Sequence, residues 1–357
     1  MTLTEKLKTI ERDGRQLLLP IWRDGEKVFL IDQTKLPFSS PVYEMTTVEM
    51  LGKAVKDMVI RGSGALGLAG AYGMFLAVKQ HGSDQKALLQ AANYLKSTRP
   101  TAVNMMKTID EMLTRVFKAD DFLASAHAVS EEIVDRQLSF EMQLGNHGAA
   151  LIEDGDTIMT HCHSGAVAGA GYGGRALSVI RAAHESGKEI EVIVNETRPY
   201  LQGARITAWE LQQLNIPFRL ITDNMSGYCM SAGLINKVVV GSDRVAANGD
   251  LANKIGTYLH ALAAQDNGIP FYTATSSHTI DFDIKRGGNI EVEMRASNEV
   301  TSFGGIQTAP EGTEALYPGF DITPNHLISG IITEKGVVTP EYTENLAKLF
   351  KEDESNV

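Results

Sequence analysis

The segment Asp154-Gly155-Asp156-Thr157-Ile158-Met159-Thr160-His161 decides the fold class, because a regular alternation of apolar runs and helical stretches begins there. The apolar runs lie at 157–161, 190–195, 218–221, 237–241 and 270–274, and the helical stretches at 172–186, 203–214, 225–233 and 251–266. Strands that alternate with helices of this length are typical of βαβ units in a parallel sheet. The sequence therefore predicts an α/β fold whose C-terminal domain has a Rossmann-like parallel sheet.

The chain before this segment has a different pattern. Apolar runs at 16–22 and 27–33 flank Arg23-Asp24-Gly25-Glu26, which predicts a hairpin, and helical stretches follow at 84–97, 101–117 and 120–145. We expect a smaller, mainly helical N-terminal domain over residues 1–130. A Rossmann-like catalytic domain is expected over residues 131–357, with the long helix near 120–145 linking the two.

Composition narrows the class of protein. The 357 residues are 43% hydrophobic and 22% charged, which is typical of a globular chain rather than a disordered one. The formal net charge of −11 argues against a nucleic-acid partner, since binding to phosphate backbones needs clustered Lys and Arg. Two cysteines cannot form a disulfide framework or a four-thiolate zinc site. Because no long apolar run is present and Met1–Lys6 lacks a signal-peptide pattern, we expect a cytoplasmic protein with no membrane segment.

Polar residues follow several of the predicted strands, and ligands of such sheets bind beyond the carboxyl ends of the strands. Cys162 follows the first strand, where it is either a reactive thiol or a buried inert cysteine. Asp243 follows the strand at 237–241. Desolvation there would raise the pKa of its carboxyl group and suit it to general acid catalysis, whereas a salt bridge to Arg244 would lower that pKa. Both alternatives stay open for both residues.

Two further patterns suggest cofactors. Residues 169–174 spell G-x-G-x-x-G, but seven residues (162–168) separate this motif from the preceding strand, which is too many for a dinucleotide site. We therefore favour a small-residue helix start packed against the sheet. His161-Cys162-His163 resembles a metal-binding group, yet in an extended segment the cysteine faces away from both histidines. The sequence predicts neither a metal nor another cofactor.

Two arginines stand beside predicted helix starts. Arg61 precedes Gly62 and Ser63, and Arg99 precedes the helix that begins near Thr101. An arginine beside a helix N-terminus suits phosphate binding, because its fork of donors adds to oriented backbone N–H groups. Either residue could equally be an ordinary surface arginine.

Long strings give the chain a family resemblance. They are Thr160-His161-Cys162 with Ser164-Gly165-Ala166, the run from Glu196 to Arg205, the run from Gly241 to Asp250, Asn253-Lys254-Ile255-Gly256-Thr257 and Phe320-Asp321-Ile322-Thr323-Pro324. From about residue 31 to residue 336 the chain resembles the methylthioribose-1-phosphate isomerases. That family is related to the regulatory subunits of translation initiation factor 2B and to archaeal ribose-1,5-bisphosphate isomerases.

The resemblance implies a role for nine residues. It identifies Cys162 and Asp243 as the catalytic residues, and it implies substrate binding by Arg61, Arg99, Gln202, Asn253 and Lys254. Backbone groups of Gly62 and Ser63 are expected to join Arg61 at the phosphate of a small phosphorylated sugar. The resemblance also implies a homodimer without a cofactor.

The implied activity is the isomerisation of a 5-substituted 5-deoxyribose 1-phosphate to the corresponding ribulose 1-phosphate. The alternatives are a non-catalytic assembly subunit, as in the initiation-factor relatives, and a ribose-1,5-bisphosphate isomerase. The chain departs from the family's pattern at Gly64, at Met105-Met106-Lys107 and at Ser276-Ser277-His278. These departures leave open whether the sugar is methylthioribose 1-phosphate or 5-deoxyribose 1-phosphate, and hence whether the chain serves methionine salvage or 5-deoxyribose salvage.

Overall fold

The structure is a computed structural model, and it describes residues 11–12 and 15–351. The opening segment Met1–Lys6, which lacks a signal-peptide pattern, lies outside these residues. The chain forms two compact units. The first comprises Met1–Met142 and Ser164–Gly174, and the second comprises Gln143–His163 and Arg175–Val357.

The strands are numbered β1 to β18 in chain order. They are Glu11–Arg12, Arg15–Gln16, Ile21–Asp24, Lys27–Ile31, Val42–Met45, Thr157–Thr160, Glu191–Asn195, Phe218–Ile221, Lys237–Val240, Arg244–Ala246, Leu251–Lys254, Phe271–Ala274, Ile280–Asp281, Ser302–Phe303, Ile306–Gln307, Phe320–Thr323, Gly330–Thr333 and Gly336–Val338.

The α-helices are numbered α1 to α11 in chain order. They are Val48–Lys56, Ser63–His81, Gln85–Thr98, Val103–Val116, Phe122–Ala149, Ala176–Glu185, Ala208–Gln213, Ser226–Ser231, Thr257–Asp266, Asn298–Thr301 and Tyr342–Lys351. A π-helical turn at Gly203–Thr207 runs directly into α7. Among the described residues, no helix is long and apolar enough to cross a membrane.

The first unit combines a small sheet with a group of helices. Strands β3, β4 and β5 form an antiparallel sheet, and the pairing of β3 with β4 is the predicted hairpin. Helix α2 is buried from Gly64 to Val78, and its glycines permit close packing. A Cβ at Gly70 would lie 2.7 Å from Oγ1 of Thr108 on α4, and one at Gly73 would lie 2.7 Å from Cδ1 of Leu95 on α3. The run of small residues is therefore a helix that its neighbours approach closely.

The second unit is built on a seven-stranded sheet of order β18-β17-β12-β9-β6-β7-β8. All neighbouring pairs are parallel except β17 and β18, and the five predicted strands are present within one residue of their expected bounds. Strand β9 is buried along its whole length, and apolar clusters cover both faces of the sheet. A buried strand of this kind is expected where helices cover both faces.

A second sheet of order β13-β10-β11-β16 differs from the prediction. The sequence predicts a helix from residue 251 to 266, but residues 251–254 form β11 and the helix begins only at Thr257. Strand β11 pairs on both sides, with β10 and with β16. This pairing satisfies the backbone of the segment, and local helical spacing gives no information about it.

Candidate active site

Cys162 follows β6 directly and has an unusual backbone conformation. Its φ of 68° lies in the left-handed region, which few residues other than glycine adopt. Two threonines hold it there: the Cys162 N–H donates to Oγ1 of Thr197 (2.8 Å), and Oγ1 of Thr207 donates to the Cys162 carbonyl (2.9 Å). A strained residue that its surroundings hold in place is typical of functional sites. This favours the reactive-thiol alternative over the inert one.

Gln202 lies against the Cys162 thiol. Its Nε2 is 3.1 Å from Sγ of Cys162, and the residue is buried. Oε1 of Gln202 is also buried and has no hydrogen-bond partner among the described residues. A buried amide oxygen without a partner is costly, so this atom suits a hydroxyl donor from a bound ligand. The structure thus brings two of the predicted site residues together.

The turn that carries Gln202 requires a close approach of two backbones. A Cβ at Gly203 would lie 1.8 Å from the carbonyl oxygen of Asn195, so only glycine fits. The π-helical turn begins at this glycine, and such turns occur frequently at functional sites.

Asp223 accepts backbone hydrogen bonds from the segment that leads into this turn. Its carboxylate accepts the N–H groups of Thr197 (2.8 Å) and Arg198 (2.6 Å). Thr197 in turn receives the Cys162 N–H. Asp223 follows β8 closely, but the sequence gives no role to the residue. The missing signal is the pairing of this carboxylate with backbone groups distant in sequence.

Two buried histidines, His161 and His260, contact each other in the second unit. Nε2 of His161 donates to the carbonyl of Ile255 (2.9 Å), and Nδ1 of His161 lies 3.2 Å from Nε2 of His260. Nδ1 of His260 lies 2.9 Å from Oγ of Ser226. Burial lowers the pKa of His161 below its usual value and that of His260 well below it, so both rings are neutral near pH 7. With one proton on each ring, these three contacts can form a chain of hydrogen bonds.

The same two histidines and Asp223 are the described residues that could hold a metal ion. Their ligand atoms lie within 4.8 Å of one another. His163, which the sequence pattern grouped with His161, is not one of these three residues. Its Nδ1 lies 3.1 Å from Oγ1 of Thr207.

Asp243 differs from the expectation of a desolvated carboxyl group. The residue is exposed, because β9 ends at Val240 and the chain leaves the sheet before reaching it. Its N–H donates to the carbonyl of Ala252 (3.0 Å). Its neighbour Arg244 pairs with Asp281, with Nη1 of the arginine 3.2 Å from Oδ2 of the carboxylate.

Asn253 and Lys254 are buried on β11. Nζ of Lys254 donates to the carbonyl of Gly319 (2.8 Å) and lies 4.5 Å from the centre of the Phe320 ring. Nδ2 of Asn253 donates to Oγ1 of Thr257 (3.0 Å). These contacts hold both side chains in place at the end of β11.

Asp321 belongs to the same neighbourhood, and sequence analysis gave it no role. Its carboxylate accepts the N–H groups of Gly256 (2.7 Å) and Tyr258 (3.1 Å) at the start of α9. Burial nevertheless raises the pKa of this carboxyl group to about 6. Asp321 therefore fixes the turn that follows Lys254.

Arg61, Gly62, Ser63 and Arg99 all lie in the first unit. Gly62 has a φ of 102° and precedes α2, whose start no side chain caps among the described residues. Nδ2 of Asn104 donates to Oγ of Ser63 (2.7 Å). An uncapped helix start beside an arginine has the donors that an anion requires. Cys162 and Asp243, for which the sequence predicts catalytic roles, lie in the second unit with Gln202, Asn253 and Lys254.

The G-x-G-x-x-G segment binds a carboxylate of the protein itself. Glu141 on α5 accepts the N–H groups of Ala170 (2.5 Å), Tyr172 (3.1 Å), Gly173 (3.2 Å) and Gly174 (3.1 Å). Helix α6 begins at Ala176, four residues later than the predicted start at 172. The glycines thus serve contact with a buried carboxylate, and the expectation that they pack a helix start against the sheet is wrong.

Known proteins resemble this chain over nearly its full length. The model of the initiation factor 2 subunit family matches residues 59–340. A methylthioribose-1-phosphate isomerase from Thermosipho africanus is 46% identical, and the match covers 92% of this chain and 97% of that protein.

Two solved structures have a similar fold. The 5-methylthioribose 1-phosphate isomerase from Pyrococcus horikoshii has a TM-score of 0.90 at 34% identity, covering 97% of this chain and 98% of its own. A structure described as translation initiation factor eIF-2B, subunit delta, from A. fulgidus has a TM-score of 0.89 at 39% identity, covering 93% and 99%. The chain therefore belongs to the initiation factor 2 subunit family and, within it, to the methylthioribose-1-phosphate isomerases, and it is an isomerase.

Proposed function

We propose that this isomerase converts a 5-substituted 5-deoxyribose 1-phosphate to the corresponding ribulose 1-phosphate, with methylthioribose 1-phosphate and 5-deoxyribose 1-phosphate as its substrates. The observation that carries the proposal is the contact of Gln202 with the Cys162 thiol. Its buried Oε1 offers an acceptor to a sugar hydroxyl beside that thiol.

The second unit supplies the chemistry in this proposal. A sugar that carries phosphate on its anomeric carbon cannot open its ring as a free hemiacetal does. Protonated Asp243 donates its proton to the ring oxygen while the bond from C1 to that oxygen breaks. Hydrogen then moves from C2 to C1, and Cys162 accepts a proton from the substrate. Asn253 and Lys254, held by their contacts on β11, bind the substrate.

The first unit supplies the phosphate-binding groups. Arg61 and Arg99 provide charged forks of donors, and backbone groups of Gly62 and Ser63 add N–H donors at the start of α2. The charge of the phosphate and the positive end of the helix dipole favour this assignment.

Two routes can move the hydrogen from C2 to C1. In the first, Cys162 acts as a thiolate that removes the C2 proton and an enediol forms. In the second, a hydride shifts directly and Cys162 takes only the proton of the 2-hydroxyl. A substrate that carries deuterium at C2 separates the two routes. Complete loss of the label to solvent excludes the hydride shift, whereas full retention excludes proton abstraction.

The identity of the sugar is tested by kcat/KM for four substrates on the purified protein. The two proposed sugars differ by one sulfur at the apolar end, and such differences rarely exceed ~10–200-fold in kcat/KM. We therefore expect activity on both, with ribose 1-phosphate poorer because its 5-hydroxyl must be desolvated. Ribose 1,5-bisphosphate is expected to be poorer still. A preference for the bisphosphate would contradict the proposed substrate class, and no turnover of any of the four would favour an assembly subunit.

The domain boundary, the cellular location and the ligand are part of the same proposal. The C-terminal Rossmann-like domain is taken to begin at residue 131, after a smaller and mainly helical N-terminal domain over 1–130. The enzyme is cytoplasmic, needs neither metal nor other cofactor, and binds a small phosphorylated sugar without nucleic acid or membrane as partner. The names of its relatives as enzymes of a sugar phosphate support the phosphorylated sugar as the ligand.

A homodimer is proposed on the basis of exposed apolar side chains in the second unit. Leu220, Met225, Tyr228, Leu259 and Leu262 lie on or beside β8, α8 and α9, and Tyr228 is 72% exposed. Large exposed apolar side chains on neighbouring elements are candidates for an interaction surface. Sedimentation of the wild type and of Tyr228→Glu tests the proposal: we expect a dimer and a monomer, and a monomeric wild type would contradict it.

A further inference from the structure

Glu141 is a fully buried carboxylate within the first unit. It lies on α5, and the four backbone N–H groups that it accepts come from one short segment, residues 170–174. Successive N–H groups that converge in this way form a concave binding site for an anion. In this chain the anion is the carboxylate of Glu141, and it holds the segment in place.

The glycines of this segment are required by that arrangement. A Cβ at Gly169 would lie 2.2 Å from Oε1 of Glu141, and one at Gly174 would lie 2.3 Å from the carbonyl oxygen of Gly165. Gly174 also has a φ of 63°, which favours glycine. The G-x-G-x-x-G pattern is therefore the sequence signature of a loop wrapped around Glu141.

The other side of the loop contacts the start of α2. A Cβ at Gly62 would lie 2.4 Å from Cα of Ala168, and one at Gly64 would lie 2.8 Å from Cα of Gly169. Nε2 of Gln33 donates to the carbonyl of Val167 (2.8 Å) and approaches that of Arg61 at 3.4 Å. Displacement of the loop would therefore displace the backbone that joins Arg61 to α2.

We propose that Glu141 is a positioning residue for phosphate binding. Its carboxylate holds residues 170–174, the adjoining Ala168 and Gly169 pack on Gly62 and Gly64, and those glycines lie at the first N–H groups of α2. The identity of the phosphate as that of a sugar substrate rests on the proposed function. The role of Glu141 in shaping the start of α2 rests on the contacts of the first unit alone.

The test compares Glu141→Gln with Glu132→Gln, a matched change at an exposed position of the same helix. The amide of Glu141→Gln keeps the size of the side chain but loses the charge, and its NH2 group opposes the N–H donors of the loop. We expect KM for the sugar phosphate to rise by about 10–100-fold with kcat within about 3-fold, since small displacements at a binding site have effects of this size. Glu132→Gln is expected to match the wild type in both constants.

Two readouts do not depend on turnover. Inorganic phosphate should raise the Tm of the wild type and of Glu132→Gln more than that of Glu141→Gln. Amide hydrogen exchange should be faster at residues 170–174 only in Glu141→Gln. Should the wild type turn over no sugar phosphate, the proposed function fails, while these two measurements still decide the role of Glu141.

Glu141→Asp keeps the charge and shortens its reach, so its KM should lie between those of the wild type and Glu141→Gln. If Glu141→Gln does not fold, Glu141→Asp takes its place in all three measurements. Wild-type KM, phosphate binding and amide exchange in a folded variant at this position would overturn the proposal.

Discussion

The two units hold their candidate functional residues in different ways. In the second unit, Cys162 is fixed by Thr197 and Thr207, and its thiol contacts a buried glutamine. In the first unit, Arg61 stands before a helix start that no described side chain caps, and Ser63 is exposed. A group that transfers protons needs a defined orientation, whereas a phosphate is held by charge and by several N–H donors. We therefore expect changes in the second unit to lower kcat and changes in the first to raise KM.

The largest effect is expected at the two proposed catalytic residues. Cys162→Ser and Asp243→Asn should each lower kcat by ~10²–10⁴-fold, the usual loss when an acid or base is removed, with little change in KM. Steady-state kinetics on methylthioribose 1-phosphate measure both constants. Cys229→Ser, at the buried second cysteine, is the control and should keep wild-type turnover. Near-normal kcat in either variant would show that the assigned role is wrong.

The arginines of the first unit should give the opposite pattern. Arg61→Ala and Arg99→Ala each remove charge-assisted hydrogen bonds worth about 1.5–3 kcal/mol, which corresponds to a rise in KM of roughly 10–150-fold. The kcat should change much less. Arg115→Gln is the matched control, because Arg115 is on the surface of the same unit and pairs with Glu132. A fall in kcat with unchanged KM would remove the distinction between the two units.

A smaller effect concerns the pH dependence of stability. Burial lowers the pKa of His161 and His260 in the folded chain, so the unfolded chain binds protons that the folded chain does not as the pH falls below about 6.5. The free energy of unfolding should therefore decrease with falling pH, by up to about 1.4 kcal/mol per pH unit for each ring. His260→Leu should make this decrease shallower.

Urea unfolding at pH 7.5 and pH 5.5 measures that difference. His81→Gln, at an exposed histidine of the first unit, is the control and should leave the slope unchanged. An unchanged slope in His260→Leu would show that His260 is accessible to protons in the folded chain.

Sequence periodicity predicted the parts of the fold that depend on local pattern. The five strands of the parallel sheet and the helices α3, α4 and α5 agree with it closely. It failed at Leu251–Lys254, where pairing with two strands outweighs helical spacing. It also gave no sign of the second sheet, because β13 has only two residues and both β13 and β16 lie far along the chain from their partners.

Only some residues of the candidate site could be predicted from the sequence. The resemblance singled out Cys162 and Gln202, which the structure places in contact, but periodicity alone placed only Cys162 at a strand end. Asp223, His260 and Glu141 act through contacts with groups 25 to 99 residues away, which no local pattern reveals. The expectation that Asp243 is desolvated was wrong, because residue spacing does not show how far the chain extends beyond the end of a strand.

We propose that this chain isomerises a sugar 1-phosphate by means of Cys162 and Asp243. The most direct measurement is ¹³C NMR of methylthioribose 1-phosphate labelled at C2, incubated with the wild type and with the double variant Cys162→Ser/Asp243→Asn. We predict that the wild type converts the C2 signal from a carbinol to a ketone while phosphate stays on C1, and that the double variant leaves the spectrum unchanged. Absence of the ketone signal with the wild type, or its appearance at the wild-type rate with the double variant, would contradict the claim.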